Sequence, residues 1–445
     1  MKRYALDELV AWKDSQSRKP LIVYGARQVG KTWLVREFGQ THYKNYLELD
    51  FLKHPELADY FTKDLDPHRI IKALEAKFAT TITPADTLIF FDEIQECQHA
   101  KDSLKYFNDA AKDYHVIAAG SFLGVASGQF PVGQVNTLTL YPMSFYEFLE
   151  AAGRQQLLGS IRERDAALLD GLSTLLTDML RTYFYVGGMP EAVSTFVTHG
   201  DLPKVRKVQD EILSAYKSDF SKHINASDIP KVSMLWNSIP VHLAKEKKKF
   251  IYKEVKVGGR ASEFENAMEW LVNTGLVYKV VKTLTPRIPL DGYQEREVFK
   301  LYMLDVGLLC AKTNVDVSSF YKADNAIFSD FQGAMAEQYV LQELKHVCRN
   351  PILYWGREKG DSEVDFVMQH KDGVIPIEVK STRNAQSKSL KVYMDLERPE
   401  RAIRTSLRNY GVEGNLCSIP LYMIASFADI IHAINTQEAW DKATL

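Results

Sequence analysis

The chain has 445 residues, 46% of them hydrophobic and 25% charged, with 22 Tyr, 22 Phe and a formal net charge of −2. That length exceeds what one hydrophobic core organises and calls for about three domains of ordinary soluble composition. The near-neutral balance excludes a surface coated in positive charge for gripping nucleic acid and leaves room only for a local basic patch.

From the N-terminus, Tyr4, Leu6, Leu9 and Val10 set a helical apolar rhythm broken by charges, which is not the pattern of a signal peptide. No apolar run is long enough to span a bilayer. Cys97, Cys310, Cys348 and Cys417 lie far apart, with neither CxxC nor paired-histidine spacing. They read as buried or incidental thiols in a reducing compartment. These features predict a cytoplasmic protein with no membrane partner.

Between residues 20 and 140 short apolar runs alternate with helical stretches: LIVYG (21–25), NYLELDF (45–51), TLIFFDE (87–93), HVIAAGS (115–121) and TLTLYPM (137–143). Buried parallel strands have this appearance, and the alternation predicts an α/β fold with a parallel sheet covered on both faces. The turn after the first run, Gly25-Ala26-Arg27-Gln28-Val29-Gly30-Lys31-Thr32, fits G-x-x-x-x-G-K-[ST] in full. It lies between a strand and an apolar helix that continues through Trp33, the context a P-loop requires. Its glycines let backbone N–H groups turn toward phosphates, and the helix N-terminus adds its dipole. Lys31 would neutralise the β- and γ-phosphates of ATP, with Thr32 as a ligand of Mg²⁺.

The run LIFFDE ends a buried strand in two adjacent carboxylates, Asp92 and Glu93, and an apolar strand ends so only where something cationic receives them. Asp92 is assigned to Mg²⁺ and Glu93 to polarising the attacking water, which separates an ATPase from a small-molecule kinase. Ser121, at the end of the next apolar run, is delivered to the edge of the sheet where ligands bind. There it either senses the γ-phosphate or orients water, or else caps the following helix. Arg154, Arg162, Arg164 and Arg181 follow in a helical region, and none stands out as an arginine finger.

The pattern is helical from about 145 to 245. Short helices then precede VYKVVKT (277–283), a turn with Pro286 and Pro289, and EVFKLYML (297–304), a helix-turn-helix followed by a β-hairpin wing. Ser262 and Glu265 form a capping box opening its second helix. That helix presents Glu263, Glu265 and Glu269, which phosphates repel, so base readout through it is rejected. The run Lys245–Lys249 is the best basic patch and reads as a solvated charged turn.

Farther on, Glu363-Val-Asp365-Phe is followed by a polar turn and Ile377-Glu378-Val-Lys380. In a β-hairpin, residues two apart share a face. Asp365, Glu378 and Lys380 therefore gather beside one another on an otherwise apolar hairpin, either as a metal site or as cross-strand ion pairs. Downstream, Arg383, Lys388 and Lys391 are the only cations offered for a nucleic acid.

GARQVGKT, FFDEIQ, AAGS, YPMSFYEFL (141–149) and GGMPEAV (187–193), in this order, resemble a broad family of bacterial and archaeal P-loop ATPases of the AAA-like branch. That family carries a winged helix and a C-terminal restriction-endonuclease-like domain of the PD-(D/E)xK type. The resemblance covers essentially the whole chain. It implies a P-loop ATPase core at 1–150, a helical lid at 151–240, a winged helix at 241–320 and an endonuclease-like α/β domain at 321–445. Glu93 matches the family's catalytic Glu. Asp365, Glu378 and Lys380 match its D…ExK constellation, whose acids hold Mg²⁺ and whose lysine stabilises charge at a scissile phosphate. Glu337 matches the helical acid that completes the metal site. YPMSFYEF has no agreed chemical task and is read as packing between the ATPase sheet and the following helices.

The expected activity is ATP hydrolysis with Mg²⁺, its nucleotide state controlling a Mg²⁺-dependent nuclease-like domain acting on DNA or RNA. The alternative is a regulatory ATPase whose inactive C-terminal domain only binds a protein or nucleic-acid partner. AAA-like ATPases often form rings, but the oligomeric state stays open.

Overall fold

The computed structural model describes residues 1–121, 133–245, 248–321, 326–371, 373–382 and 387–435. The chain divides into two units, Met1–Tyr141 with Glu269–Leu276, and Pro142–Met268 with Val277–Leu445.

The first unit runs α1 (Ala5–Asp14), β1 (Leu21–Tyr24), α2 (Lys31–His42), β2 (Asn45–Asp50), α3 (Pro67–Phe78), β3 (Thr87–Asp92), α4 (Gln98–Ala110), β4 (His115–Ala119) and β5 (Asn136–Thr139). Its strands form a wholly parallel sheet in the order β2-β3-β4-β1-β5. All five strands fall on the apolar runs named above. Every residue of β3 is buried, as an interior strand covered on both faces requires. Phe91 from that strand meets Phe51, Phe61 and Phe107 edge-on, at ring distances of 5.9, 5.5 and 6.2 Å. Asp66 caps α3 by accepting from His68 N–H, and Pro67 takes the first helical position, where its missing N–H costs nothing. The β2–β3 register sets Asp50 level with Asp92 at the carboxyl edge of the sheet.

The second unit begins with α5 (Phe145–Ala151), α6 (Gln155–Glu163), α7 (Ala166–Val186), α8 (Pro190–His199), α9 (Leu202–His223), α10 (Ile229–Leu243) and α11 (Tyr252–Val255). The division between units passes through α12 (Ala261–Asn273). There follow the hairpin β6 (Val277–Thr283) and β7 (Gln294–Met303), then α13 (Val306–Lys312), α14 (Ser318–Tyr321), α15 (Ala326–Val347), β8 (Ile352–Gly356), β9 (Glu363–His370) and β10 (Gly373–Val379). The last elements are α16 (Lys388–Glu397), β11 (Ala402–Ser406), β12 (Gly411–Glu413), β13 (Leu416–Pro420) and α17 (Phe427–Asn435).

All eight strands join in one sheet of order β12-β13-β11-β10-β9-β8-β6-β7. The hairpin expected as a wing is the edge of this sheet. β6 lies parallel to β8 through Lys282↔Tyr354 and Thr283↔Trp355, so the sheet crosses the boundary expected at 320/321. The burial of β7 is consistent with that position: Phe299 to Met303 are all buried, where a free wing would be wet on one face.

The helix expected to open with a box at Ser262 and Glu265 starts at Ala261, which puts Ser262 inside its first turn. A capping box forms instead at Ser144 and Glu147. Glu147 N–H donates to Ser144 Oγ at 3.2 Å, and Ser144 N–H donates to Glu147 Oε2 at 2.9 Å. It opens the helix of the YPMSFYEF segment, which packs within the second unit. Phe145 N–H donates to Glu343 Oε1 on α15 at 2.9 Å, and the Phe145 ring meets Tyr183 of α7 at 5.6 Å. The GGMP segment has its own task. Gly188 N–H donates to Asp305 Oδ2 at 2.6 Å, and a Cβ on Gly187, whose φ is +72°, would stand 2.2 Å from Asp305 Oδ1. No described helix is long and apolar enough to cross a membrane.

Candidate functional site

The P-loop closes the gap between β1 and α2. Gly25 has φ +154°, and a Cβ there would meet Leu140 O at 2.4 Å; Gly30 caps α2 at φ +95°. Lys31 is buried, and its ammonium donates to Gly25 O at 3.0 Å and Ala26 O at 2.9 Å. Burial pulls it down to about 8 against the opposing pull of Glu93 and Asp92, with Arg27 adding to the fall. A cation so desolvated gains from an incoming polyphosphate.

Thr32 Oγ1 donates to Asp92 Oδ2 at 2.9 Å. Burial raises Asp92 to about 6, opposed by the Thr32 hydroxyl and reinforced by Glu93. Glu48, Asp50 and Asp92 each offer a carboxylate oxygen within 4.8 Å of the others, the one such group of three among the described residues. An all-oxygen set beside a P-loop hydroxyl fits Mg²⁺, which Thr32 and Asp92 would hold. Glu48 is taken by Arg36, at 2.6 and 2.7 Å, and by Tyr46 OH at 2.6 Å, while Asp50 pairs with Lys53 at 2.8 Å.

Glu93 stands just past the strand in the left-handed region, at φ 49° and ψ 47°, and its N–H donates to Asp92 Oδ1 at 3.1 Å. Ser121 is buried at the end of β4; the helix it was expected to cap lies outside the described residues. Trp33 is exposed at the start of α2. Sequence reasoning missed Arg3, which is buried and donates to Val29 O at 2.8 Å and to Tyr141 O at 2.7 Å, bracing the loop from behind. Nothing in the local pattern near the N-terminus signals that role.

In the second unit, Asp365 on β9 accepts from Val379 N–H at 2.8 Å, and Glu378 on β10 pairs with Lys380 at 2.7 Å. Glu337 on α15 accepts from Tyr302 OH at 3.0 Å and from Lys248. Lys300, on β7, lies 3.9 Å from Glu337 and 2.5 Å from Glu363, over the Tyr354 ring. The expected residues are thus brought together, with two lysines that the sequence reading did not place there. Burial alone would raise Glu337, but Lys248 and Lys300 hold it at about 2. Burial, then Glu337 and Glu378, push Asp365 well above the usual carboxylate range. Burial raises Glu378 as well, and its Oε2 is buried with no partner among the described residues. Glu337, Asp365 and Glu378 do not form a group with ligand atoms within 4.8 Å of one another. Of the downstream cations, Arg383 lies outside the described residues, and Lys388 opens α16.

Residues 17–149 match the model of an AAA domain. Residues 177–319 and 332–424 match two families each described as a domain of unknown function, DUF8612 and DUF4143. No curated protein matches the chain. Among solved structures, a Walker-type ATPase of Pyrococcus abyssi is 14% identical over 70% of this chain and 95% of its own, with a TM-score of 0.45. A signal transduction ATPase with numerous domains from Pyrococcus horikoshii, which carries a tetratricopeptide repeat sensor, is 13% identical over 78% of this chain and 46% of its own, with a TM-score of 0.27. The Orc1 protein of Aeropyrum pernix in complex with DNA is 12% identical over 72% of this chain and 94% of its own, with a TM-score of 0.32. The AAA match and the P-loop fold make the first unit an ATPase domain of the AAA P-loop type.

Proposed function

We propose that the chain is an ATP-hydrolysing switch whose second unit binds a partner, protein or nucleic acid, without cutting it. One observation carries the second half: three of the four acids gathered at the nuclease-like site already face lysines. Glu337 faces Lys248 and Lys300, Glu363 faces Lys300, and Glu378 faces Lys380. Three carboxylates there meet three ammoniums, while burial with Glu337 and Glu378 raises Asp365 above the usual carboxylate range. A divalent ion entering there would be repelled by Lys300, whose side chain is buried on β7.

At the first site, the P-loop N–H groups and Lys31 bind the phosphates, and Thr32 with Asp92 holds Mg²⁺. The ion, held by Thr32 and Asp92, would supply positive charge that offsets the charge of the phosphates. Glu93 accepts a hydrogen bond from the attacking water and takes its proton. Ser121 orients that water or senses the γ-phosphate from the neighbouring strand. Nucleotide state then biases what the second unit grips, as a ligand with different affinities for two states must.

The finer division, with a lid at 151–240, a winged helix at 241–320 and an endonuclease-like domain from 321, is kept as part of this reading. The winged helix draws on α12 followed by the β6–β7 hairpin. A second reading, a Mg²⁺-dependent nuclease, is favoured by Asp365, Glu378 and Lys380 lying together beside Glu337. The test is plasmid and single-strand cleavage with Mg²⁺ or Mn²⁺, with and without ATP, beside Lys31→Ala and Lys380→Ala. The expected result is ATP hydrolysis lost in Lys31→Ala and retained in Lys380→Ala, with no cleavage by any form. Metal-dependent cleavage that disappears in Lys380→Ala would install the nuclease reading instead.

A further inference from the structure

We propose that Gln95 is a positioning residue for ATP hydrolysis: its side-chain amide holds the Glu93 carboxylate on the phosphate side of the loop. The inference rests on Glu93 being the group that polarises the attacking water.

Glu93 leaves β3 in a left-handed conformation that a non-glycine residue adopts at a cost. A single 3₁₀ turn, Ile94–Glu96, follows and folds Gln95 back alongside it. Gln95 Nε2 donates to Glu93 Oε2 at 2.5 Å. The other end of the amide is held as firmly. Gln95 Oε1 is buried, without a partner among the described residues, and packs against Gly120 at the end of β4. A Cβ on Gly120 would stand 2.7 Å from that oxygen, so the missing side chain makes the space the amide occupies. Reversing the amide would set its oxygen against a carboxylate oxygen, two acceptors with no proton between them. The orientation is therefore fixed from both sides.

A glutamate with three free torsions would otherwise sample many positions in an apolar edge. Here a short charge-assisted bond selects one. That position lies at the phosphate-binding edge, since Glu93 N–H donates to Asp92 Oδ1 at 3.1 Å and Asp92 Oδ2 accepts from the P-loop Thr32 hydroxyl at 2.9 Å. A buried acceptor left unpaired among the described residues is a cost that packing alone does not explain, and it falls against Gly120, one residue past the end of β4. Gln95 thus joins the end of β3 to the end of β4 through Glu93.

The experiment compares Gln95→Glu, which keeps the shape and replaces the donor with a second carboxylate, with Gln95→Leu, which removes the polar head. Each is made alone and in a Glu93→Gln background. Steady-state ATPase gives kcat and KM, and equilibrium binding of a fluorescent ATP analogue with Mg²⁺ gives affinity without turnover. The expected result is a fall in kcat of about 30-fold in both single variants, part of the ~10²–10⁴ that a positioned base supplies. KM, analogue affinity and melting temperature stay within about twofold or 2 °C of wild type. In Glu93→Gln neither substitution costs anything further, because the group being positioned is gone. An unchanged kcat in Gln95→Glu, a parallel loss of analogue affinity, or a further loss of rate in the Glu93→Gln background would overturn the proposal. Full activity in Glu93→Gln itself would overturn the parent assignment of Glu93, a separate failure.

Discussion

Replacing Lys300 by methionine tests the idea that lysines stand where a metal would. Its side chain is 1% exposed, on β7, 2.5 Å from Glu363 and 3.9 Å from Glu337. Methionine fills most of the same volume without charge, so the loss is electrostatic rather than a cavity. Breaking a buried pair costs about 3–5 kcal/mol because the remaining charge stays desolvated. Glu363 is a third exposed, and Glu337 keeps Lys248 and Tyr302, so the lower end applies, about 3 kcal/mol. The assay is urea denaturation without nucleotide, in EDTA and again with Mn²⁺. In EDTA the variant loses about 3 kcal/mol, and Mn²⁺ at about a hundred times its dissociation constant restores roughly 2.7 kcal/mol, the stabilisation expected of a ligand bound only by the folded state. Wild type should move little with Mn²⁺, since Lys300 still stands between Glu337 and Glu363. A variant as stable as wild type in EDTA, or a wild type that gains from Mn²⁺ as much as the variant does, would refute the reasoning.

Three further outcomes follow from geometry in either unit. Burial pushes Glu343 from 4.5 up to about 8, so the folded state holds a proton that the unfolded state has released. Stability therefore falls as pH rises from 4.5 to about 8, by up to roughly 5 kcal/mol. Glu343→Gln keeps an acceptor for Phe145 N–H and should flatten the urea midpoint between pH 6 and 9; parallel curves would contradict this. Gly187→Ala must place its Cβ 2.2 Å from Asp305 Oδ1 at φ +72°. It should cost about 3 kcal/mol or more, read by melting, while Gly171→Ala, where a Cβ meets nothing within 4 Å, should be neutral or better. Arg3→Ala frees Val29 O behind the P-loop and should raise KM for ATP about tenfold with kcat little changed, since each charged hydrogen bond is worth about 1.5–3 kcal/mol; an unchanged KM would refute the bracing role.

What could be seen in advance followed local patterns. The parallel strands, the P-loop and the Asp92–Glu93 pair each sit within a few residues of their own signal. Ser144-Phe-Tyr-Glu147 is an S-x-x-E box as readable as Ser262 to Glu265, and a helix start at Ala261, two residues too early for Ser262 to cap it, decided which of them formed. The acid site was half legible. Hairpin alternation groups Asp365, Glu378 and Lys380, but Lys248 reaches Glu337 across 89 residues, and Lys300 arrives on a strand assigned elsewhere. The β6–β8 pairing that brings it there depends on sheet order, which no local period encodes. The Gly188 bond to Asp305 is of the same kind: the two are separated by 117 positions, and only the fold makes GGMP meaningful.

The most direct test of the central claim is the number of Mn²⁺ ions bound per chain, counted by electron paramagnetic resonance at saturating non-hydrolysable ATP analogue. An ATP-driven switch with a lysine-neutralised second unit predicts one ion, lost in Lys31→Ala and unchanged in Asp365→Ala. A second ion that survives in Lys31→Ala and vanishes in Asp365→Ala would contradict it.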